Sequence, residues 1–255
     1  MPAVTEAALL ARPPLSLFGI EGLRAAFELM SHQIQACVQA AEPPPPPGDG
    51  HPVIIFPGLG ADGATVGPLR EHCRRLGYAA SDWGRGCNTG VTGEPGAWLQ
   101  GLAHEVQAQL APHGQPATLV GWSLGGIYAR ELARLLPGQV RQVITIGTPF
   151  NADEDHSNAG WVLRMLGCGG PALDRRWAAR LRKPLPVPST SIYSRSDGVV
   201  SWAACRHPRA GRLAEDVEVE GSHLGMAWNR QVLQVLADRL AQPAGQWRRY
   251  AAVTV

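Results

Sequence analysis

The stretch from Ala117 to Leu136, ATLVGWSLGGIYARELARLL, constrains this chain more than any other. An apolar run through Thr118, Leu119 and Val120 ends at Gly121-Trp122-Ser123-Leu124-Gly125-Gly126, and a helical pattern starts at once. Strand, sharp turn with a central serine, helix: in that context G-x-S-x-G has a mechanical meaning. The turn forces the serine backbone into a strained conformation, and a side chain two residues to either side would clash. Hence Gly121 and Gly125. Ser123 is left projecting above the end of a sheet, at the mouth of a helix whose first amides favour negative charge. A glycine-rich turn with an incidental serine would spell the same letters. The strand before and the helix after favour a nucleophile.

At these residues the chain resembles the α/β-hydrolase superfamily, in particular small bacterial lipases and esterases, over residues 51 to 241. The resemblance implies an acid and a histidine after the serine in chain order, two backbone amides forming an oxyanion hole, and no metal or organic cofactor.

With 255 residues, one α/β domain is expected, with an excursion or two. A net charge of +2 gives no reason to expect nucleic acid. Lys183 is the only lysine. The five cysteines (Cys37, Cys73, Cys87, Cys168, Cys205) are scattered and lack C-x-x-C spacing, which argues against structural zinc. They read as mostly reduced, buried residues, with one disulfide left open. The N-terminus lacks the basic region of a secretory signal, and no apolar run is long enough to span a bilayer. The expected location is the cytoplasm.

Residues 15 to 41 predict an amphipathic helix. Ile20, Leu23, Phe27, Met30, Ile34 and Cys37 recur at helical steps, with Arg24, Glu28, Gln35 and Gln39 opposite. The proline run Pro43 to Pro47 then makes a stiff linker, so residues 1–50 form a helix tethered to a body at 51–255. The apolar stripe is expected to pack on the body or on a second subunit. Contact with a membrane surface through 15–41 is the other reading, weakened by a polar face poor in Lys and Arg.

His51 to Gly60, HPVIIFPGLG, is a buried strand running into a turn. In the lipases that the chain resembles, a His-Gly-x pattern follows this strand and supplies one oxyanion donor. Here Pro57 stands in place of that His. By position the backbone N–H of Leu59 should be one donor and that of Leu124 the second. The glycine-rich loop from Trp83 to Gly90 lacks phosphate-loop spacing. Trp83, Arg85 and Asn88 are expected at the rim of the pocket. Trp122, Phe150 and Trp161 are expected to line it.

Residues 151 to 186 are too long for a simple loop and carry a helical apolar set, as a lid or cap would. A crossover helix packed on the sheet is the alternative. Asp197 lies just past the strand 187–193, where the acid is expected; Asp174, Glu154 and Asp216 compete. His223 sits between glycines after the last strand, with His156 and His207 as rivals. The order Ser123, Asp197, His223 is the order the resembled fold requires.

Six segments (53–57, 78–82, 117–122, 140–147, 187–193, 216–221) alternate with helical patterns. The expected architecture is an α/β three-layer sandwich, a mainly parallel sheet with helices on both faces. To it are added the N-terminal helix and a small helical cap. The expected substrate is a small-molecule ester or lipid with an apolar acyl group. Acyl transfer and thioester cleavage use the same three residues and stay open, as does a non-catalytic binding role. Oligomeric state is not legible.

Overall fold

The structure is a computed structural model and describes residues 12–39, 48–151, 179–208 and 211–251. After a first helix, α1 (Leu15–Gln39), come β1 (Pro52–Phe56), α2 (Gly67–Arg75), β2 (Ala79–Asp82), α3 (Pro95–Leu110), β3 (Ala117–Trp122), α4 (Leu124–Leu135) and β4 (Val140–Ile146). Then follow β5 (Ser189–Tyr193), β6 (Ala214–Glu218) and α5 (Arg230–Leu240). The strands form one sheet in the order β2-β1-β3-β4-β5-β6, every pair parallel.

A parallel sheet covered on both faces needs strands apolar on both sides. In β1, Val53 and Ile55 join a core with α2 and α5, while Ile54 and Phe56 join a second core with α3 and α4. The two cores are the two outer interfaces of the expected sandwich. Phe56 lies beside Gly121 in register, and Gly121 beside Thr145. The loops after β1, β3 and β4 therefore leave the sheet side by side.

Element boundaries shift for local reasons. The sequence pattern predicts a helix over 65–76; α2 starts at Gly67 because Asp62 holds the preceding turn, accepting from the amides of Ala64 and Thr65 at 3.0 Å each. β5 starts at Ser189 because Pro188 has no N–H to give the ladder. Cys73 and Cys205 are buried and free; Cys87, also free, is exposed, contrary to expectation.

The one substantial correction concerns α1. Its apolar stripe does not pack on the body. Leu15, Leu23, Phe27 and Ile34 are 71, 76, 65 and 60% exposed. The face turned inward carries Phe18, Glu21, Arg24, Ala25 and Glu28. Glu21 is buried, and Phe18 packs on a small cluster of Tyr193, Val199, Val200 and Cys205. The body offers this helix loops with backbone donors to satisfy, and buried N–H groups call for carboxylates rather than leucines. Among the described residues no helix is long and apolar enough to cross a membrane.

Candidate active site

Ser123 has φ 52° and ψ −122°, and is the one non-glycine residue at positive φ among those described. Its environment over-determines that conformation. A Cβ on Gly121 would collide with Gly126, and one on Gly125 with the carbonyls of Phe56 and Pro57. Ser123 N–H donates to the Ile146 carbonyl at 2.8 Å, and the Ser123 carbonyl accepts from the Thr148 hydroxyl at 2.9 Å. Thr148 fills the space that a side chain at position 126 would need.

Asp197 and His223 come from the loops after β5 and β6. Asp197 Oδ1 accepts from the amides of Val199 and Val200, both at 2.8 Å. Oδ2 is left for His223 Nδ1, at 2.7 Å, and His223 Nε2 lies 3.1 Å from Ser123 Oγ. The side chains of Asp197 and His223 are almost wholly buried, whereas Ser123 is half-buried. Burial pushes the His223 imidazole down. The Asp197 carboxylate more than reverses this through its charge and hydrogen bond, with Glu21 adding to it, and the imidazole ends above its ordinary value. The arrangement is a proton path from a hydroxyl to a base whose cation is stabilised. Gly147 makes room for the ring: a Cβ there would meet His223 Nδ1 at 3.1 Å.

Of the expected oxyanion donors, Leu124 is the residue next after Ser123. Leu124 opens α4, where first-turn amides have no partner inside the helix. Gly58, the residue before Leu59, backs directly on Ser123, a Cβ there falling 3.2 Å from that of Ser123. The loop carrying Leu59 is pinned by Asn88, which is wholly buried rather than at the rim of a pocket. Its Nδ2 donates to the Pro57 carbonyl at 2.8 Å. Its own carbonyl accepts from Gly60 N–H at 2.8 Å, and its Oδ1 from Tyr128 Oη at 3.2 Å. Trp83 is also buried, stacked on Tyr128, and Arg85 pairs with Glu105 over the Trp98 ring.

The expected lining residues have packing roles. Trp122 is buried, and its Nε1–H donates to the His223 carbonyl at 3.1 Å, tying the base loop to β3. Phe150 is buried beneath the Arg130 guanidinium, 3.8 Å from its ring centroid, and beside His207. Trp161, with Asp174, Glu154, His156 and most of the expected cap, lies outside the described residues.

The rivals pair with each other. His207 Nδ1 lies 2.7 Å from Asp216 Oδ1, and His207 Nε2 lies 3.2 Å from Ser189 Oγ. This second Ser-His-Asp line has the contacts but not the setting. Ser189 opens β5, is buried, and has no positive φ, unlike Ser123 at the start of α4. Among the described residues no group of three or more His, Cys, Asp or Glu side chains could hold a metal ion.

No known protein family matches the chain by its sequence profile. The chain is 24% identical over 155 residues to a pimeloyl-[acyl-carrier protein] methyl ester esterase of Shewanella sp. (strain MR-7), covering 60% of this chain and 56% of that protein. The chain thus spans about half the length of the curated relatives it matches. Among solved structures it is similar to a metagenome-derived lipolytic enzyme (TM-score 0.54, 15% identity, covering 76% of this chain and 92% of that one). It is likewise similar to the thioesterase domain from the curacin biosynthetic pathway (TM-score 0.53, 14% identity, 76% and 92% covered).

Proposed function

We propose that this chain, an α/β-hydrolase by fold, is a serine hydrolase that cleaves carboxylic esters through an acyl-enzyme. The observation that carries the reading is the continuous line from Ser123 Oγ through His223 to Asp197, at 3.1 and 2.7 Å, ending on a serine held at positive φ. His223 takes the hydroxyl proton as Ser123 attacks the ester carbonyl. Asp197 stabilises the imidazolium. The amides of Leu59 and Leu124 receive the developing oxyanion, each such donor being worth about 10²–10³ in rate. His223 then protonates the leaving alkoxide, and the acyl-enzyme forms. Water, deprotonated by the same imidazole, releases the acid and restores Ser123. No step calls for a cofactor. Leu59 and Leu124, both half-buried, carry the amides assigned to the oxyanion, and their side chains favour an apolar acyl group.

The likeness to a thioesterase domain favours one second reading, cleavage of a thioester by the same steps. Parallel assays on p-nitrophenyl esters from acetyl to palmitoyl and on acyl thioesters, with Ser123→Ala beside the native chain, separate the two. Ester hydrolysis that vanishes in Ser123→Ala is expected, and the preferred chain sizes the acyl site. Turnover confined to thioesters would shift the assignment. Folded protein inert on both series would contradict it.

A further inference from the structure

The acid and base of the proposed mechanism stand on the loops after β5 and β6, which are tied to each other at Gly221: its amide donates to Ser194 Oγ at 3.3 Å and its carbonyl accepts from Ser196 Oγ at 3.2 Å. Beyond that tie, both loops meet the N-terminal helix. α1 grips both. Glu21 Oε1 accepts from the Gly198 amide at 2.5 Å, one residue past Asp197, and Glu21 Oε2 accepts from the Leu224 amide at 3.4 Å, one residue past His223. Glu28 holds the other side of the base, accepting from the Ser222 amide at 2.8 Å. Arg24 holds the other side of the acid, donating to the Ser196 carbonyl at 2.5 Å and to its hydroxyl at 2.9 Å.

The loops are shaped to receive this helix. A Cβ on Gly198 would fall 2.6 Å from the Leu17 carbonyl carbon and 2.7 Å from Glu21 Oε1. One on Gly225 would collide with Glu28. The glycine after the acid and the glycine two residues past the base therefore both mark places where α1 comes close.

We propose that Glu21 is a positioning residue that sets the separation of Asp197 and His223 by bridging the backbone amides next to each. The inference rests on the Ser123–His223–Asp197 reading. One carboxylate with an oxygen on each loop couples their positions, which two separate contacts would not do. Its carboxyl group also stands beside the imidazole, where its charge favours the imidazolium. The charged groups facing Glu21 are Arg24 from its own helix, 3.8 Å away, Asp197 from the loop after β5 and His223 from the loop after β6. Burial pushes the Glu21 carboxyl up, and the Gly198 amide works against that.

The test uses the full chain with Glu21→Gln, Glu21→Ala and, for comparison, Glu28→Ala. Ester hydrolysis gives kcat and KM separately, and NMR titration of the His223 imidazole reports its ionisation without any substrate. Misplacing catalytic groups by about 1 Å costs up to ~10²-fold. Glu21→Gln keeps one acceptor and should lower kcat about tenfold, with Glu21→Ala nearer a hundredfold, both at nearly constant KM. In both variants the ionisation of His223 should move to lower pH. Glu28→Ala should cost stability with a smaller fall in kcat and no such shift. An unmoved His223 titration in folded Glu21→Ala would overturn the proposal. So would equal effects of Glu28→Ala and Glu21→Ala at equal loss of stability, since α1 would then act only as a brace. Failure of the underlying reading looks different. A fluorophosphonate would leave Ser123 unlabelled in the native chain, while the His223 titration would still respond to Glu21.

Discussion

In the turn at Ser123 the constraints are steric, set within the turn at Gly121 and by β1 and Thr148 at Gly125 and Gly126. Gly121, Gly125 and Gly126 leave no room for side chains, and the serine takes the only conformation the turn allows. In α1 the constraints are polar and distant. Glu21 meets Gly198 across 177 residues and Leu224 across 203. The first region can be read from six letters, because each close approach there, whether within the turn or from β1 and Thr148, leaves room only for glycine. The second cannot, because a helix with one apolar and one polar face has two ways to dock, and only the surface it meets decides between them. Here that surface is two loops with amides to satisfy, and the polar face won.

Substitutions can probe the contrast. The largest effect on rate is expected from Asp197→Asn, which keeps the shape but gives His223 Nδ1 no anion to lean on. The loss should be about 10³–10⁴ in kcat with the fold intact. The pH profile fixes the sign of the accompanying shift. The base must be neutral to act, so kcat/KM rises as His223 loses its proton, above the ordinary value of 6.5. Removing the carboxylate leaves burial, which lowers the value, so the acid limb should move down in pH. An acid limb that stays in place would detach His223 from it.

Gly125→Ala comes next. Its methyl would meet two carbonyl oxygens that cannot yield without distorting β1, at a cost of about 3 kcal/mol. Thermal unfolding should show the loss, and serine labelling should fail even where the protein folds. Gly198→Ala presses on the backbone of α1 instead. A helix can back away, so about 1–2 kcal/mol is expected, with kcat falling as the Glu21 bridge lengthens. A fall in stability with kcat unchanged would confine α1 to bracing. The smallest effect should come from Leu23→Ser on the outer face of the same helix, within about 0.5 kcal/mol by chemical denaturation. A large loss there would show that the outer face is covered after all.

The centre of the sheet was legible because β1, β3 and β4 are short, largely apolar runs, and both cores follow from alternation along β1; β2 (AASD) and β6 (AEDVE) are edge strands with little apolar signal. Ser123, Asp197 and His223 were legible because Ser123 follows directly on β3 and the other two lie in the loops just past β5 and β6. What supports them was not. Asn88 reaches Pro57 across 31 residues and Thr148 reaches Ser123 across 25, through side chains that look like ordinary loop polar groups in sequence. Trp122 and Phe150 are apolar residues beside the site, and sequence does not separate those that line a pocket from those that pack beneath it. His207 and Asp216 show the reverse case. They were rivals for the roles of base and acid, and they hydrogen-bond to each other within a buried line to Ser189. Residue types alone do not distinguish that line from the one at Ser123; the strained turn and the helix N-terminus do.

The central claim is that Ser123 is an activated nucleophile. Intact-protein mass spectrometry after exposure to a fluorophosphonate tests it most directly, with native chain, Ser123→Ala and Ser189→Ala side by side. One adduct per chain is predicted for the native protein and for Ser189→Ala, mapping to the peptide that holds Ser123, and none for Ser123→Ala. An adduct that persists in Ser123→Ala and disappears in Ser189→Ala, or no adduct on folded native protein, would contradict the account.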